Sequence, residues 1–187
     1  SEKVVGFGGR EINNNSKIKY INSQESEIFR KSEILYGLKQ NNESIRKNKT
    51  IILVEGYMDV ISMAENDINL AVASLGTTLS KIQIQKMWNF CSIPYICFDG
   101  DEAGRKSAKI VALKILEFLV LGKSFKFIKL PDKHDPDSFF KKWNKKNFEE
   151  LMNKSYDLSD LVWQIILESI EKPTPEFIAL IDEKIKY

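Results

Sequence analysis

The chain has 187 residues, 43% hydrophobic and 11% aromatic, which excludes a disordered or fibrous protein and allows one domain with its own core and a small appendage. Its 28 Lys and Arg against 26 Asp and Glu give a formal net charge of +2, so the surface is not uniformly basic and any nucleic acid must meet a local patch. Two cysteines and one histidine exclude a disulfide scaffold and a Cys/His zinc site and fit a reducing cytoplasm, and no apolar run is long enough to span a membrane.

Val4 to Gly9 reads as a short strand, entered so early that the chain is expected to be a piece of a longer protein. A turn at Asn13–Ser16 and alternation over Lys17–Ile21 predict the return strand of a hairpin. Glu27 to Leu38 has helical spacing with Ser26 as N-cap, and the polar stretch 41–49 reads as a loop or helix end. The continuous apolar run Ile51–Val54 predicts a buried strand. After it come a helix over Met58–Glu65, a strand over Leu70–Ala73 and a helix from Ser80 to Phe90. A strand over Pro94–Phe98, a long helix over Glu102–Leu121 and a strand over Phe125–Leu130 complete the middle. In the long helix Ile110, Leu113, Ile115, Leu116, Phe118 and Leu119 form a wide apolar face expected to pack on the sheet. Strands alternating with helices imply an α/β fold with a parallel, Rossmann-like sheet. From Pro136 onward only helices are predicted, over 138–143, 146–153, 158–171 and 175–186. The expected organisation is a basic lead-in over 1–48 packing on the core, an α/β domain over 49–135 and a small, truncated helical subdomain over 136–187.

Function in such sheets collects where strands end. Glu55 follows Ile51–Val54, with Asp59 four residues on; Asp99 and Asp101 follow Tyr95–Phe98; Asp135 and Asp137 follow the strand ending at Leu130. Carboxylates gathered at one edge raise each other's pKa and destabilise the fold unless a cation neutralises them. Oxygen donors alone point to Mg²⁺ or Mn²⁺, whose exchangeable waters suit phosphoryl or nucleotidyl transfer. Each motif also has a duller reading. Asp59 favours the first turn of a helix, Asp-Gly-Asp is a common turn, and Asp-Pro-Asp a common helix start. Their occurrence at three strand ends carries the metal reading.

Val54-Glu55-Gly56-Tyr57-Met58-Asp59-Val60, Phe98-Asp99-Gly100-Asp101-Glu102-Ala103-Gly104-Arg105-Lys106 and Asp135-Pro136-Asp137 resemble the three signatures of Toprim domains. The flanking Gly6-Phe7-Gly8-Gly9-Arg10, Lys19-Tyr20-Ile21-Asn22-Ser23, Phe29-Arg30-Lys31, Leu35-Tyr36-Gly37 and Ala73-Ser74-Leu75-Gly76-Thr77 narrow the resemblance to bacterial replicative primases, over about residues 4 to 140. Two departures stand out. Phe29-Arg30-Lys31-Ser32 replaces the family's Phe-His-Lys-Gly, so the charge carries over and the histidine does not, and the turn before Lys19 is longer than usual.

The resemblance implies a Toprim core that copies single-stranded DNA into a short RNA primer from ribonucleoside triphosphates with Mg²⁺ or Mn²⁺. It implies Glu55, Asp99 and Asp101 as catalytic metal ligands, with Asp59, Asp135 and Asp137 binding a second metal or orienting the first. Arg10, Lys19, Tyr20 and Lys31 resemble a basic ridge for template and nucleotide, where cations hold phosphates and the tyrosine stacks on a base. Zinc is expected in a separate N-terminal domain and the replicative helicase on a separate C-terminal one, with the whole in the cytoplasm and no membrane contact. Without the resemblance, Arg10 and Lys31 read as surface charges and Tyr20 as core. Arg105, Lys106 and Lys109 read as a solvated helix face, with Arg105 placed to pair with a nearby carboxylate; His134 reads as incidental, Trp88, Trp143 and Trp163 as packing, and Cys91 and Cys97 as buried thiols. A non-catalytic Toprim interaction module and a Toprim nuclease or topoisomerase fragment are the alternatives. A haloacid-dehalogenase-like phosphatase is set aside, because Asp99 and Asp101 follow a late strand and Ala103 stands where that family needs a hydrophilic residue.

Overall fold

The computed structural model describes residues 4–10, 20–75, 78–169 and 175. Its centre is a six-stranded mixed sheet in the order β3-β5-β4-β6-β7-β8. These strands are β3 (Leu35–Tyr36), β4 (Ile52–Val54), β5 (Ala71–Ser74), β6 (Tyr95–Ile96), β7 (Lys126–Phe127) and β8 (Tyr156–Asp157). The four inner strands are parallel, and both edge strands are antiparallel to their neighbours. A separate hairpin pairs β1 (Gly8–Arg10) with β2 (Tyr20–Asn22), Arg10 facing Tyr20.

Alternation along the strands divides the core. Leu53, Val72, Ile96 and Phe127 pack with Ile84, Met87, Val111, Ile115 and Leu161 on one face. Ile52, Val54, Ala71 and Ala73 pack with Val60, Met63, Phe139 and Phe148 on the other. The first face is covered by α1 (Asn42–Asn48), α3 (Lys81–Phe90), α4 (Glu102–Leu116) and α7 (Leu158–Ser169), the second by α2 (Tyr57–Glu65), α5 (Pro136–Phe140) and α6 (Lys145–Asn153). Among the described residues no helix is long and apolar enough to cross a membrane.

The ends of α3 follow from its sequence. Ser80 Oγ accepts from Gln83 N at 3.1 Å, and Gln83 Oε1 accepts from Ser80 N at 2.9 Å, a reciprocal cap. Ser80→Ala is expected to lower stability by about 1 kcal/mol, read as a fall of roughly 3 °C in the thermal midpoint for a chain of this size.

Several expectations are corrected. The helix expected over 27–38 is instead a 3₁₀ turn at Lys31–Glu33 followed by β3. Leu35 and Tyr36 pair with Ser74 and Ala73, and this long-range ladder overrides local helical spacing. Gly37 then turns the chain at φ +81°, where an added Cβ would lie 2.7 Å from Val60 Cγ1. The stretch 41–49 contains α1, with buried Asn41 donating from Nδ2 to Ala71 O at 2.8 Å. Helix α4 stops at Leu116, and its buried face is Ala108, Val111, Ala112 and Ile115; Ile110, Leu113, Leu116 and Leu119 are exposed. The region after Pro136 is not helical alone, since β8 joins the sheet. Cys97 is buried as expected, whereas Cys91 is partly exposed. The helix expected over 175–186 lies outside the described residues apart from Pro175.

Candidate metal and nucleic-acid site

Parallel strands β4 and β6 are neighbours, so the residues after their C-terminal ends meet. Glu55 Oε1 accepts from Asp99 N at 3.1 Å and ties the two strand ends together. Asp59 turns back within the first turn of α2 to accept from Gly56 N at 2.9 Å. Asp101 is the N-cap of α4, accepting from Gly104 N at 2.8 Å. Asp135 is the N-cap of α5, accepting from Ser138 N at 2.7 Å. Asp137 pairs with Lys141 at 2.6 Å.

Two glycines make this assembly possible. A Cβ on Gly100 would lie 2.2 Å from Pro131 O, and one on Gly104 2.1 Å from Asp99 O. Gly100 N also donates to His134 O at 2.8 Å, so the loop bearing Asp99 and Asp101 is bonded to the loop bearing Asp135.

The carboxylates act on one another. Asp99 is pushed up to about 7, first by desolvation and then by Glu55, Asp59, Asp135 and Asp101. Asp59 is only 8% exposed and is pushed up to about 6 by burial, with Asp135, Glu55 and Asp137 adding to the rise against the opposing Gly56 N–H. Glu55 is raised by desolvation and by Asp101, against the Asp99 N–H. Burial also raises Asp135, but the Ser138 hydroxyl and amide and Lys141 outweigh it and leave that carboxyl below its ordinary value. All six carboxylates therefore share one electrostatic neighbourhood.

Asp99 Oδ1 is buried and accepts no hydrogen bond. A buried anionic oxygen without a partner is costly, and a cation beside it would satisfy it. Oxygen-only donors with raised pKa values fit a divalent metal of the hard class. Among the described residues, no three of these side chains stand close enough together to hold an ion at once.

The hairpin reaches the same end of the sheet. Tyr57, the first residue of α2, donates its hydroxyl to Gly9 O at 2.7 Å. Arg10 is exposed, near enough to Lys141 for the two cations to repel. Lys31 lies in the 3₁₀ turn, where its carbonyl accepts from Gln83 Nε2 at 3.0 Å. Tyr20 lies opposite Arg10; Lys19 and the side chain of Tyr20 are outside the described residues.

Three participants were not singled out as site residues by sequence reasoning. Tyr57 anchors the hairpin to α2. Arg105 Nη1 donates to Gly100 O at 2.8 Å and to Asp132 Oδ1 at 3.3 Å. His134, read as incidental, contributes its carbonyl to Gly100, places Nδ1 3.2 Å from Ser138 Oγ and sets its ring against Trp143. Tyr57 and Arg105 both lie within the quoted signatures, Arg105 one helical turn after Asp101, whereas His134 carried no signal.

A Toprim-like family model matches residues 52–140, and a model described as the DNA primase catalytic core, N-terminal domain, matches 1–42. The DNA primase of Neisseria meningitidis serogroup A is 38% identical over 175 residues, 93% of this chain and 30% of that protein. The Escherichia coli primase catalytic core superposes with a TM-score of 0.84 at 36% identity, covering 96% of this chain and 57% of that one. A DnaG primase catalytic domain bound to single-stranded DNA gives a TM-score of 0.85, also at 36% identity, covering 96% of this chain and 56% of that one. The chain thus spans about a third of the length of the curated relatives it matches. With both family models matching and 96% of the chain superposing, the chain belongs to the family of DNA primase catalytic cores and carries that family's Toprim-like domain.

Proposed function

We propose that this chain is the catalytic core of a DNA primase, which copies single-stranded DNA into a short RNA primer from ribonucleoside triphosphates by nucleotidyl transfer. The observation that carries the reading is the gathering of Glu55, Asp59, Asp99, Asp101, Asp135 and Asp137 at one sheet edge, with Asp99 Oδ1 buried and unbonded. Glu55, Asp99 and Asp101 are assigned as the ligands of Mg²⁺ or Mn²⁺, supported by Asp59, Asp135 and Asp137. Bound there, a divalent cation supplies charge neutralisation for the attacking 3′-oxygen and for the departing pyrophosphate. Arg10, Lys19 and Lys31 are assigned to template and nucleotide phosphates, and Tyr20, across the ladder from Arg10, to stacking on a base. The replicative helicase is the partner proposed for the whole protein, acting in the cytoplasm.

A non-catalytic interaction module is the second reading. Ribonucleotide incorporation on a single-stranded DNA template separates the two. The whole protein is expected to make primers in Mg²⁺ or Mn²⁺ and to lose that activity with Asp101→Asn, while the 187 residues alone are expected to extend little RNA. A whole protein that binds template but makes no primer in either metal would favour the interaction module.

A further inference from the structure

The loop carrying Asp99 and Asp101 and the loop carrying Asp135 come from different strands, and their spacing must be fixed if they are to serve one ion. Backbone bonds from Gly100 N to His134 O and from Lys133 N to Gly100 O join them, the second long at 3.3 Å. Arg105 adds the side-chain link. Its Nη1 donates both to Gly100 O, in the first loop, and to Asp132 Oδ1, just upstream of Asp135.

Arg105 bonds to loop backbone and to Asp132, neither of them a proposed ligand side chain, so it acts on the site through position. Its ion pair is also solvent-exposed, with side chains 52% and 81% accessible. Such pairs add little to folding stability, so the link has little effect on the fold as a whole and a local effect on the two loops.

We infer that Arg105 is a positioning residue that holds the Asp99–Asp101 turn against the Pro131–Asp135 loop and so sets the spacing of the carboxylates for a divalent cation. The inference rests on the proposed reading of these carboxylates as a metal site. Outer residues that orient metal ligands alter affinity by about 10- to 100-fold when removed. Arg105 acts on loop backbone and not on a ligand side chain, so the lower end of that range, about tenfold, is expected.

The test is Mn²⁺ titration of the 187-residue chain by water-proton relaxation, with amide exchange measured on the metal-free protein. Arg105→Ala is expected to weaken Mn²⁺ binding about tenfold, to speed exchange at Gly100 N–H and to leave the thermal midpoint nearly unchanged. Arg105→Lys, which keeps a donor able to reach Gly100 O, is expected to recover part of the affinity, whereas Arg105→Gln recovers less. Asp132→Asn is expected to have a smaller effect, because the bond to Gly100 survives it. Wild-type affinity and unaltered Gly100 exchange in Arg105→Ala would overturn the positioning role and leave the metal site standing. No Mn²⁺ binding by the wild-type chain would overturn the metal-site reading itself, and the inference with it.

Discussion

Asp99→Asn is expected to abolish measurable Mn²⁺ binding and, in the same protein without metal, to raise the thermal midpoint at pH 8. The two effects have one cause. Asp99 holds a buried, unbonded oxygen and faces four other carboxylates. Removing its charge removes a proposed metal ligand, and loss of affinity by a factor of roughly 100 or more is expected, since even supporting residues are worth about 10- to 100-fold. It also removes the buried charge and the repulsion that together raise its pKa.

The pH dependence has a definite sign. Asp99 and Asp59 are raised from 3.8 to about 7 and about 6, so the folded state binds their protons more tightly than the unfolded chain does. The stabilisation is complete below pH ~4 and is lost as pH rises through about 6 to 7. The metal-free wild type should therefore melt at a lower temperature at pH 8 than at pH 6, apart from any acid effect on other groups. Asp99→Asn should flatten that difference, and Mn²⁺ should offset it in the wild type only. Equal or higher metal-free stability of the wild type at pH 8 would mean that the carboxylates do not burden the fold.

Gly104→Ala should lower the stability of the chain by about 3 kcal/mol, at the upper end of overpacking effects. Alanine in a helix interior gains up to about 1 kcal/mol over glycine, so a helix with room would be strengthened. Here the new methyl would lie 2.1 Å from Asp99 O and 2.8 Å from Asp99 C and N. Backbone cannot rotate aside as a flexible side chain can, and the clash outweighs the helical gain. A lower urea midpoint together with weaker Mn²⁺ binding is the expected result, because the displaced backbone is that of a proposed ligand. Unchanged stability would show that α4 can slide away from β6 at little cost.

The strand ends were legible because the inner strands are buried on both faces, which leaves unbroken apolar runs such as Ile51–Val54, and because each run ends in acid. Helix starts were legible where a side chain caps them, as at Ser80 and Asp101. What could not be read was set by distant partners. Leu35 and Tyr36 lie in a stretch of helical spacing, but their strand conformation is fixed by Ser74 and Ala73. The apolar residues of α4 were visible while their orientation was not, and Ile110 and Leu113 proved exposed. Within the site, residue types announce the carboxylates. Backbone interlocking through Gly100, His134 and Arg105 has no signature of its own, since a carbonyl acceptor is available at every residue.

The edge strands have a further consequence, for association between molecules. A parallel sheet ending at β7 or β5 would present an open row of amides and carbonyls to any passing strand. Here β8 and β3, each two residues long, occupy those edges in the antiparallel sense. A strand that short offers almost no template for a neighbour to extend. A chain shortened to end before Tyr156 would expose β7 and should self-associate through it, although every proposed ligand would still be present.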